Sequence, residues 1–434
     1  MWVTERLHWR IGIATDCDVM FKTGLTIERM MSPEWEHEGH CTAAVVQVEE
    51  AQNQILDVVK GVGGRGQAGL DDLQLQRFEE AVQVLEASRG IEAPTADSSL
   101  IGRWRLLFTT TPGTESPVQR TFTGVDAFQV FQDIVQGDDG IGVRNVVKFG
   151  EKIGALRVEA ASSTDSQPIP GFVPRQGEGI PLLGKSITDK PAERKDMRID
   201  FQFDRAGFKF RWPVSLSIPY PVPFRILGDE RKGWLDVTYL SPDGTLRLCR
   251  GNKGTLFVLT KVDRSAKEAL LDAINEGARD DEVLKLINEL AKENPTPAAA
   301  RSPLAEGKWI TIFNKQEEDA NPLARLSGVL SQYQEVGAAA GPGGLDNVVI
   351  FVPLLLSLRA KGRCRVAGDE RCVVNIDSIV VEIPGKEFNV DIPNDGSGFV
   401  DYLYLDEDLR IVKGNRGGYY VGVKEAPRKG FLPW

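Results

Sequence analysis

The sequence predicts a mainly β protein with helical lead-ins (α+β), built as two antiparallel barrels, each preceded by a helix pair. Three observations carry this prediction. A segment is written twice: Trp234-Leu-Asp-Val-Thr-Tyr239-Leu, followed by Leu246-Arg247-Leu-Cys-Arg250-Gly251-Asn252-Lys253-Gly254, returns as Phe399-Val-Asp-Tyr-Leu-Tyr404-Leu, followed by Leu409-Arg410-Ile-Val-Lys413-Gly414-Asn415-Arg416-Gly417. Such self-similarity means two copies of one domain. From Trp104 onward the apolar residues recur with period two, and ahead of each β-rich stretch they recur at helical spacing.

The repeat extends beyond that segment. Gly102-Arg-Trp104 is echoed by Gly307-Lys-Trp309, and Asn145-Val-Val-Lys-Phe149 by Asn347-Val-Val-Ile-Phe351, in the same order. The first copy is longer by about 40 residues, so it carries an insertion. The expected organisation is a poorly ordered leader at 1–48, a first domain at 49–263 with a Pro/Gly-rich insertion at 161–195, and a second domain at 264–434.

In the first copy, Ile55, Leu56, Val58 and Val59 start an apolar face, and Leu70, Leu73, Phe78, Val82 and Leu85 continue it after a break at Gly61 to Gly69. In the second, Ser265 and Glu268 form a capping box, Leu270, Leu271 and Ile274 form a stripe, and Gly277 ends the helix. Val283, Leu284, Ile287 and Leu290 make the next helix, which Pro295 stops. The strands read clearly in Ile199, Phe201 and Phe203, alternating with Asp200, Gln202 and Asp204, and again in Phe208, Phe210 and Trp212. Turn signals such as Pro242-Asp243-Gly244 and 391–398 separate short strands. A meander of this kind closes into a barrel, since an open sheet would leave unprotected edges.

Composition narrows the function. A net charge of −10 argues against a nucleic-acid partner and against electrostatic attachment to anionic lipid, both of which need clustered Lys and Arg. No apolar stretch reaches the roughly 18 to 20 residues of a spanning helix; residues 348–358, broken by Pro353 and Ser357, read as buried strand. Five cysteines, Cys17, Cys41, Cys249, Cys364 and Cys372, make no disulfide framework and fit a reducing compartment, although Cys364 and Cys372 are spaced for pairing across a hairpin. The three histidines, His8, His37 and His40, all precede the repeats, so the domains lack the usual group that titrates near neutral pH. No catalytic residue is assigned. Asp236 and Asp401 alternate with the apolar face and point outward, and His37-Glu-Gly-His40-Cys41 lacks the fourth ligand of a structural zinc site, so no metal is expected.

Both copies resemble the plastid lipid-associated protein family, also called fibrillins or plastoglobulins, in the helical lead-in, the G-x-W strand and the closing hairpin. The resemblance implies a plastid protein, at plastoglobules or thylakoids, that associates peripherally with lipid and binds lipophilic molecules such as carotenoids, quinones or acyl lipids, with no catalytic cofactor. The leader does not support this by itself: Glu5, Asp16, Asp18, Glu28, Glu34, Glu36 and Glu38 are unlike an acid-poor transit peptide. The alternative is a scaffold or accessory subunit of a thylakoid complex, its barrels filled.

The G-x-W start also resembles that of lipocalins, making the expected barrels lipocalin-like. That likeness places Arg250 over Trp104 and Lys413 over Trp309, a structural contact worth about 0.5 to 2 kcal/mol. Gly251, Asn252 and Gly254, and their counterparts Gly414, Asn415 and Gly417, lie between strands and so form positive-φ turns rather than phosphate loops. Candidate lining residues are Trp104, Leu106, Phe108, Phe201, Phe203, Phe210, Trp234, Tyr239 and Phe257, each of which could equally be core. Burying about 200 Å² of an isoprenoid at ~25 cal/mol per Å² yields roughly 5 kcal/mol before association costs. The stretches 169–174, 180–184 and 218–224 are apolar, proline-broken loops placed either at the first barrel's mouth or against the second domain. Phe399 for Trp234 and Tyr419-Tyr420 for Leu256-Phe257 alter the second copy's pocket, so the first copy is the expected ligand-binding unit.

Overall fold

The computed structural model describes residues 33–110, 125–137, 140–150, 153–178, 186–187, 190–210, 216–221, 224–316, 330–337, 340–341, 343, 344–353, 355–391 and 398–425. Helices α1 (Pro33–Val59) and α2 (Asp72–Ser88) lead into nine strands: β1 (Gly102–Thr109), β2 (Gln129–Gly137), β3 (Gly140–Gly150), β4 (Gly154–Ser163), β5 (Arg198–Phe210), β6 (Leu216–Pro219), β7 (Lys232–Leu240), β8 (Leu246–Gly251) and β9 (Leu256–Val262). The plan then repeats in α3 (Ala266–Glu276), α4 (Asp280–Ala291), β10 (Gly307–Lys315), β11 (Ser331–Val336), β12 (Gly344–Val352), β13 (Leu356–Val366), β14 (Arg371–Ile383), β15 (Lys386–Asp391), β16 (Gly398–Leu405), β17 (Leu409–Gly414) and β18 (Tyr419–Lys424).

The two sheets have one topology. The first runs β4-β3-β2-β1-β9-β8-β7-β5-β6, and β4 pairs again with β5, closing eight antiparallel strands into a barrel with β6 as an outlying ninth. In the second, β13 pairs with β14 in the same way. Closure leaves no open edge among the eight, which is the physical reason a meander rolls up.

Local signals explain the helices. The Ser265–Glu268 capping box forms, and Gly277, at φ 73°, ends α3. An equivalent box, Asp71 with Gln74, starts α2. Helix α1 begins at Pro33, inside the stretch expected to be a poorly ordered leader. Residues 348–358 are not one strand but the end of β12, a turn, and the start of β13. The described cysteines, Cys249, Cys364 and Cys372, are free thiols; Cys364 faces Val374 in register, and Cys372 faces Val366. The side chains of His8, His37, His40, Cys17 and Cys41, and residue Trp212, lie outside the described residues.

Each barrel has two cores. The lumen of the first holds Trp104, Leu106, Ile134, Val143, Ile199, Val237 and Cys249, while α1 and α2 cover the outer wall through Ile55, Phe78, Val82 and Leu85 against Phe108, Tyr239, Leu248 and Val258. Register shifts let one strand feed both cores. Between Leu106 and Phe108, and between Val237 and Tyr239, a β-bulge reverses the inside–outside alternation, and the same shifts fall between Thr311 and Phe313 and between Tyr402 and Tyr404. Phe313 and Tyr404 accordingly pack under α3 and α4.

The extra residues of the first copy are not one insertion. They divide among the β4–β5 connection (164–197 against 367–370), the segment before β7 (220–231 against 392–397) and the β7–β8 turn (241–245 against 406–408).

Helices α3 and α4 serve both barrels. Their apolar faces cover the second, while their acidic groups lock onto the first. Arg103 of β1 uses all five of its N–H donors on Asp133, Asp272 and Glu276, at 2.7 to 2.8 Å. Alongside, Lys148 donates to Asp272, and Arg144 and Arg157 both donate to Glu282. Arg103 and Glu276 are almost wholly buried, so neither charge has water as an alternative partner. Glu276→Ala is expected to cost about 3–5 kcal/mol in chemical denaturation, because it removes one of the carboxylates that neutralise a buried guanidinium and leaves two of its N–H donors without that acceptor. Burial alone would raise the Asp272 pKa, but Lys148, Arg103 and Arg264 outweigh it and hold the carboxyl below its usual 3.8. The Asp272 contribution is therefore complete above about pH 4 and lost as pH falls through the lower folded value; Asp272→Asn should flatten the acid limb of urea midpoints measured against pH.

Candidate functional site

Trp104 sits at the packed end of the first lumen, with its indole Nε1 donating to the Leu100 carbonyl at 2.8 Å. Its ring is sandwiched between cations: the Arg247 guanidinium lies 4.6 Å from the ring centroid and Lys261 Nζ lies 5.5 Å away. Trp309 repeats this, donating to the Ala305 carbonyl at 2.9 Å beneath Arg410 at 4.9 Å and Lys424 at 5.1 Å. The expected partners were the wrong ones. Arg250 is on the outer face of β8, paired with Glu86 of α2, and Lys413 lies over Tyr419. Residues three apart on a strand face opposite sides, so Arg247 and Arg250 cannot both face the lumen. Gly102 and Gly307 have φ of 137° and 126°, and a Cβ on either would come within 2.9 Å of Lys261 or Lys424, which explains the glycine of G-x-W.

The repeated Gly-Asn segments are turns. Gly254 and Gly417, at φ 77° and 83°, donate to the Gly251 and Gly414 carbonyls at 2.9 Å. Asn252 and Asn415 donate through their backbone N–H to the Trp234 and Phe399 carbonyls, tying each turn to the neighbouring strand.

Above Trp104 lies a cavity of about 420 Å³. Among the predicted residues, Leu106, Phe201, Phe203, Trp234 and Phe257 line it. Trp104 belongs to the packed floor beneath. Trp234 also carries Arg198 over its ring at 3.9 Å, and its Nε1 donates to the Ile187 carbonyl of the insertion. Phe108 and Tyr239 are corrections, since the bulges turn them onto the outer wall, where Phe108 contacts Phe78 and the Tyr239 hydroxyl meets Gln52. Phe210 stacks on Phe208 at the far end of β5, away from the lining.

Of the two places the sequence allowed for 218–224, the barrel's mouth is the one it takes, and there it forms a lid. Tyr220, Phe224 and Leu227, from the segment before β7, cover the cavity from above. Phe201, Phe203, Phe224, Tyr220 and Phe208 form a continuous run of ring contacts, with centroids 5.1 to 6.2 Å apart. The β4–β5 insertion fastens this lid: buried Arg175 donates to the Asp229 and Lys232 carbonyls at 3.0 Å and to Glu230 at 2.8 Å. The proline spacing of 218–224 marked the segment as a loop, but nothing local pointed to Arg175 as its clasp. Asp236 is on the outer face as expected, yet buried, because the same insertion covers its bidentate pair with Arg198. Its counterpart, Asp401 with Arg371, stays more open.

A lidded, largely apolar lumen inside a closed antiparallel barrel places the first unit among barrels with an internal cavity. The PAP_fibrillin family model matches residues 49–168, 181–260 and 265–422, and the chain belongs to that family. It is 36% identical over 377 residues to the probable plastid-lipid-associated protein 12, chloroplastic, of Arabidopsis thaliana, across 87% of this chain and 82% of that protein. It is 26% identical over 193 residues to a chromoplast-specific carotenoid-associated protein of Cucumis sativus, across 42% of this chain and 59% of the relative. Its location is the plastid. Among solved structures, a transferrin-binding protein B double mutant from Haemophilus parasuis aligns over 69% of this chain and 66% of that one at 8% identity and TM-score 0.15, too low to carry an argument.

Arg175→Ala should release the lid without unfolding the barrel. The expected readout is at least tenfold faster amide exchange across 224–231, with β1 to β3 unchanged, since Arg175 ties that segment to the insertion through Asp229, Glu230 and Lys232.

Proposed function

We propose that the chain is a non-catalytic plastid lipid-associated protein whose first barrel holds a small lipophilic molecule, such as a carotenoid, quinone or acyl lipid, while the protein sits peripherally on plastoglobule or thylakoid lipid. The observation that carries this reading is the lidded cavity with its run of aromatic rings, a lining suited to a long unsaturated or isoprenoid chain. The Cucumis relative is named for carotenoid association, which agrees in kind. Among the described residues no helix is long and apolar enough to cross a membrane, in keeping with a peripheral mode.

The second barrel differs at its floor. Tyr402 stands where the first has Val237 and Cys372 where it has Ile199, and both are buried with Trp309 in one packed cluster. The larger Tyr402 side chain, against the smaller Cys372, fills that floor and favours a supporting role for the second barrel.

The test is native mass spectrometry and organic extraction of the full chain purified from plastids. A stoichiometric lipophile should co-purify with the natural protein and be reduced at least tenfold in Phe203→Asp, which puts a charge into the apolar lining. Leu73→Asp, on the exposed side of α2, should retain it. A ligand-free natural protein held stoichiometrically on a membrane complex would favour the scaffold reading instead.

A further inference from the structure

The two copies keep the same buried arginine but satisfy it differently. Arg247 and Arg410 each lie over the floor tryptophan, and each donates through Nη2 to a glutamine of the second strand, Gln132 at 2.7 Å or Gln334 at 2.5 Å. Each glutamine in turn donates through Nε2 to an asparagine of the third strand, Asn145 or Asn347. In the second barrel the buried Tyr402 hydroxyl lies beside Arg410. In the first, Val237 occupies that place and offers no oxygen; among the described residues Arg247 Nε and Nη1 have no acceptor, although the residue is fully buried. Nor does any carboxylate among the described residues pair with Arg247, whereas Arg103, Arg157 and Arg175 are all paired.

The direction of the amide chain follows from that charge. A buried cation turns the Gln132 carbonyl toward itself, which points the Gln132 amide at the Asn145 carbonyl and leaves Asn145 Nδ2 as the terminal donor. Gln132 and Asn145 both line the cavity, in a wall that is otherwise apolar at that level. The deep end of the cavity therefore offers N–H and positive potential, a match for an acceptor oxygen and not for a bare hydrocarbon end.

We propose that the first barrel takes its ligand head-first, with an acceptor oxygen, either a carboxylate or a quinone-type carbonyl, meeting the Asn145 amide in front of Arg247 while the hydrocarbon tail runs out along the aromatic lining. This rests on the carrier reading and adds to it the chemical end by which the ligand is recognised. A long-chain acid or a prenylated quinone fits; an unoxygenated carotene does not.

The test is displacement of a neutral naphthylamine probe from the full chain by oleate, octadecene and a decyl-substituted benzoquinone. Natural protein should bind oleate at least about tenfold more tightly than octadecene, the discrimination expected of one charge-backed hydrogen bond in a dry site. Asn145→Leu, which keeps size and removes the donor, and Asn145→Asp, which puts a like charge beside a carboxylate, should both abolish that preference while octadecene affinity stays within about twofold. Circular dichroism melting of both variants separates loss of preference from loss of fold. Tight binding of the benzoquinone as well assigns the site to carbonyl oxygens in general, and tight binding of oleate alone assigns it to carboxylates. Equal binding of oleate and octadecene, or a preference that survives in both variants, overturns the head-first inference but leaves the carrier standing. Failure of every probe to bind overturns the carrier reading with it.

Discussion

A single-layered barrel can present only two faces, and here both must be apolar: one fills the lumen, the other seats a helix pair. Strict alternation would send every apolar side chain of a strand to one side. The bulges resolve this by switching phase partway along β1 and β7, so that Leu106 faces inward and Phe108, two positions on, faces α2. Everything else in the unit follows from that switch. The helices have a hydrophobic seat, the upper lumen loses two large aromatics to the outer wall, and the space they would have filled becomes cavity. The second barrel has the same switch at Thr311/Phe313 and Tyr402/Tyr404, which identifies it as part of the ancestral unit and not a local accident.

From that common frame the copies diverged by addition and by filling. The first gained a long β4–β5 connection and a longer segment before β7, and these act together, because Arg175 of one clasps the backbone of the other. The second has more bulk at the floor at one position, where Tyr402 stands in place of Val237. The shared frame shows in the outer-wall pairs. Arg198 over Trp234 with Asp236, and Arg371 over Phe399 with Asp401, have one geometry, yet the insertion buries the former pair.

Much of this was legible in the sequence because it is locally encoded. The duplicated hairpin, the period-two run of Ile199, Phe201 and Phe203, the Ser265–Glu268 box and the terminal Gly277 each carry their signal within a few residues, and each was read correctly. The misplacement of Phe108 and Tyr239 has a physical cause: a bulge is a backbone event that leaves no side-chain mark, so a period-two extrapolation runs through it on the wrong phase. Arg250 was chosen over Arg247 for lack of a facing rule, although one signal was available. Of the two positions, 250/413 is arginine in one copy and lysine in the other, whereas 247/410 is arginine in both and shares a strand face with buried Cys249 and Val412. The clasp at Arg175 and the carboxylates around Arg103 were beyond reach, because partners some 50 to 170 positions apart declare themselves only once the chain is folded.

The helices that introduce the second copy complete the charge balance of the first. Arg103 is written in one repeat and answered by Asp272 and Glu276 in the next, so the repeats, though similar in plan, are no longer interchangeable or separable parts. A gene split at the junction would yield a leading half whose interior Arg103 keeps Asp133 alone and a trailing half with surplus acid on its helices. The cross-link makes the tandem arrangement a single electrostatic unit.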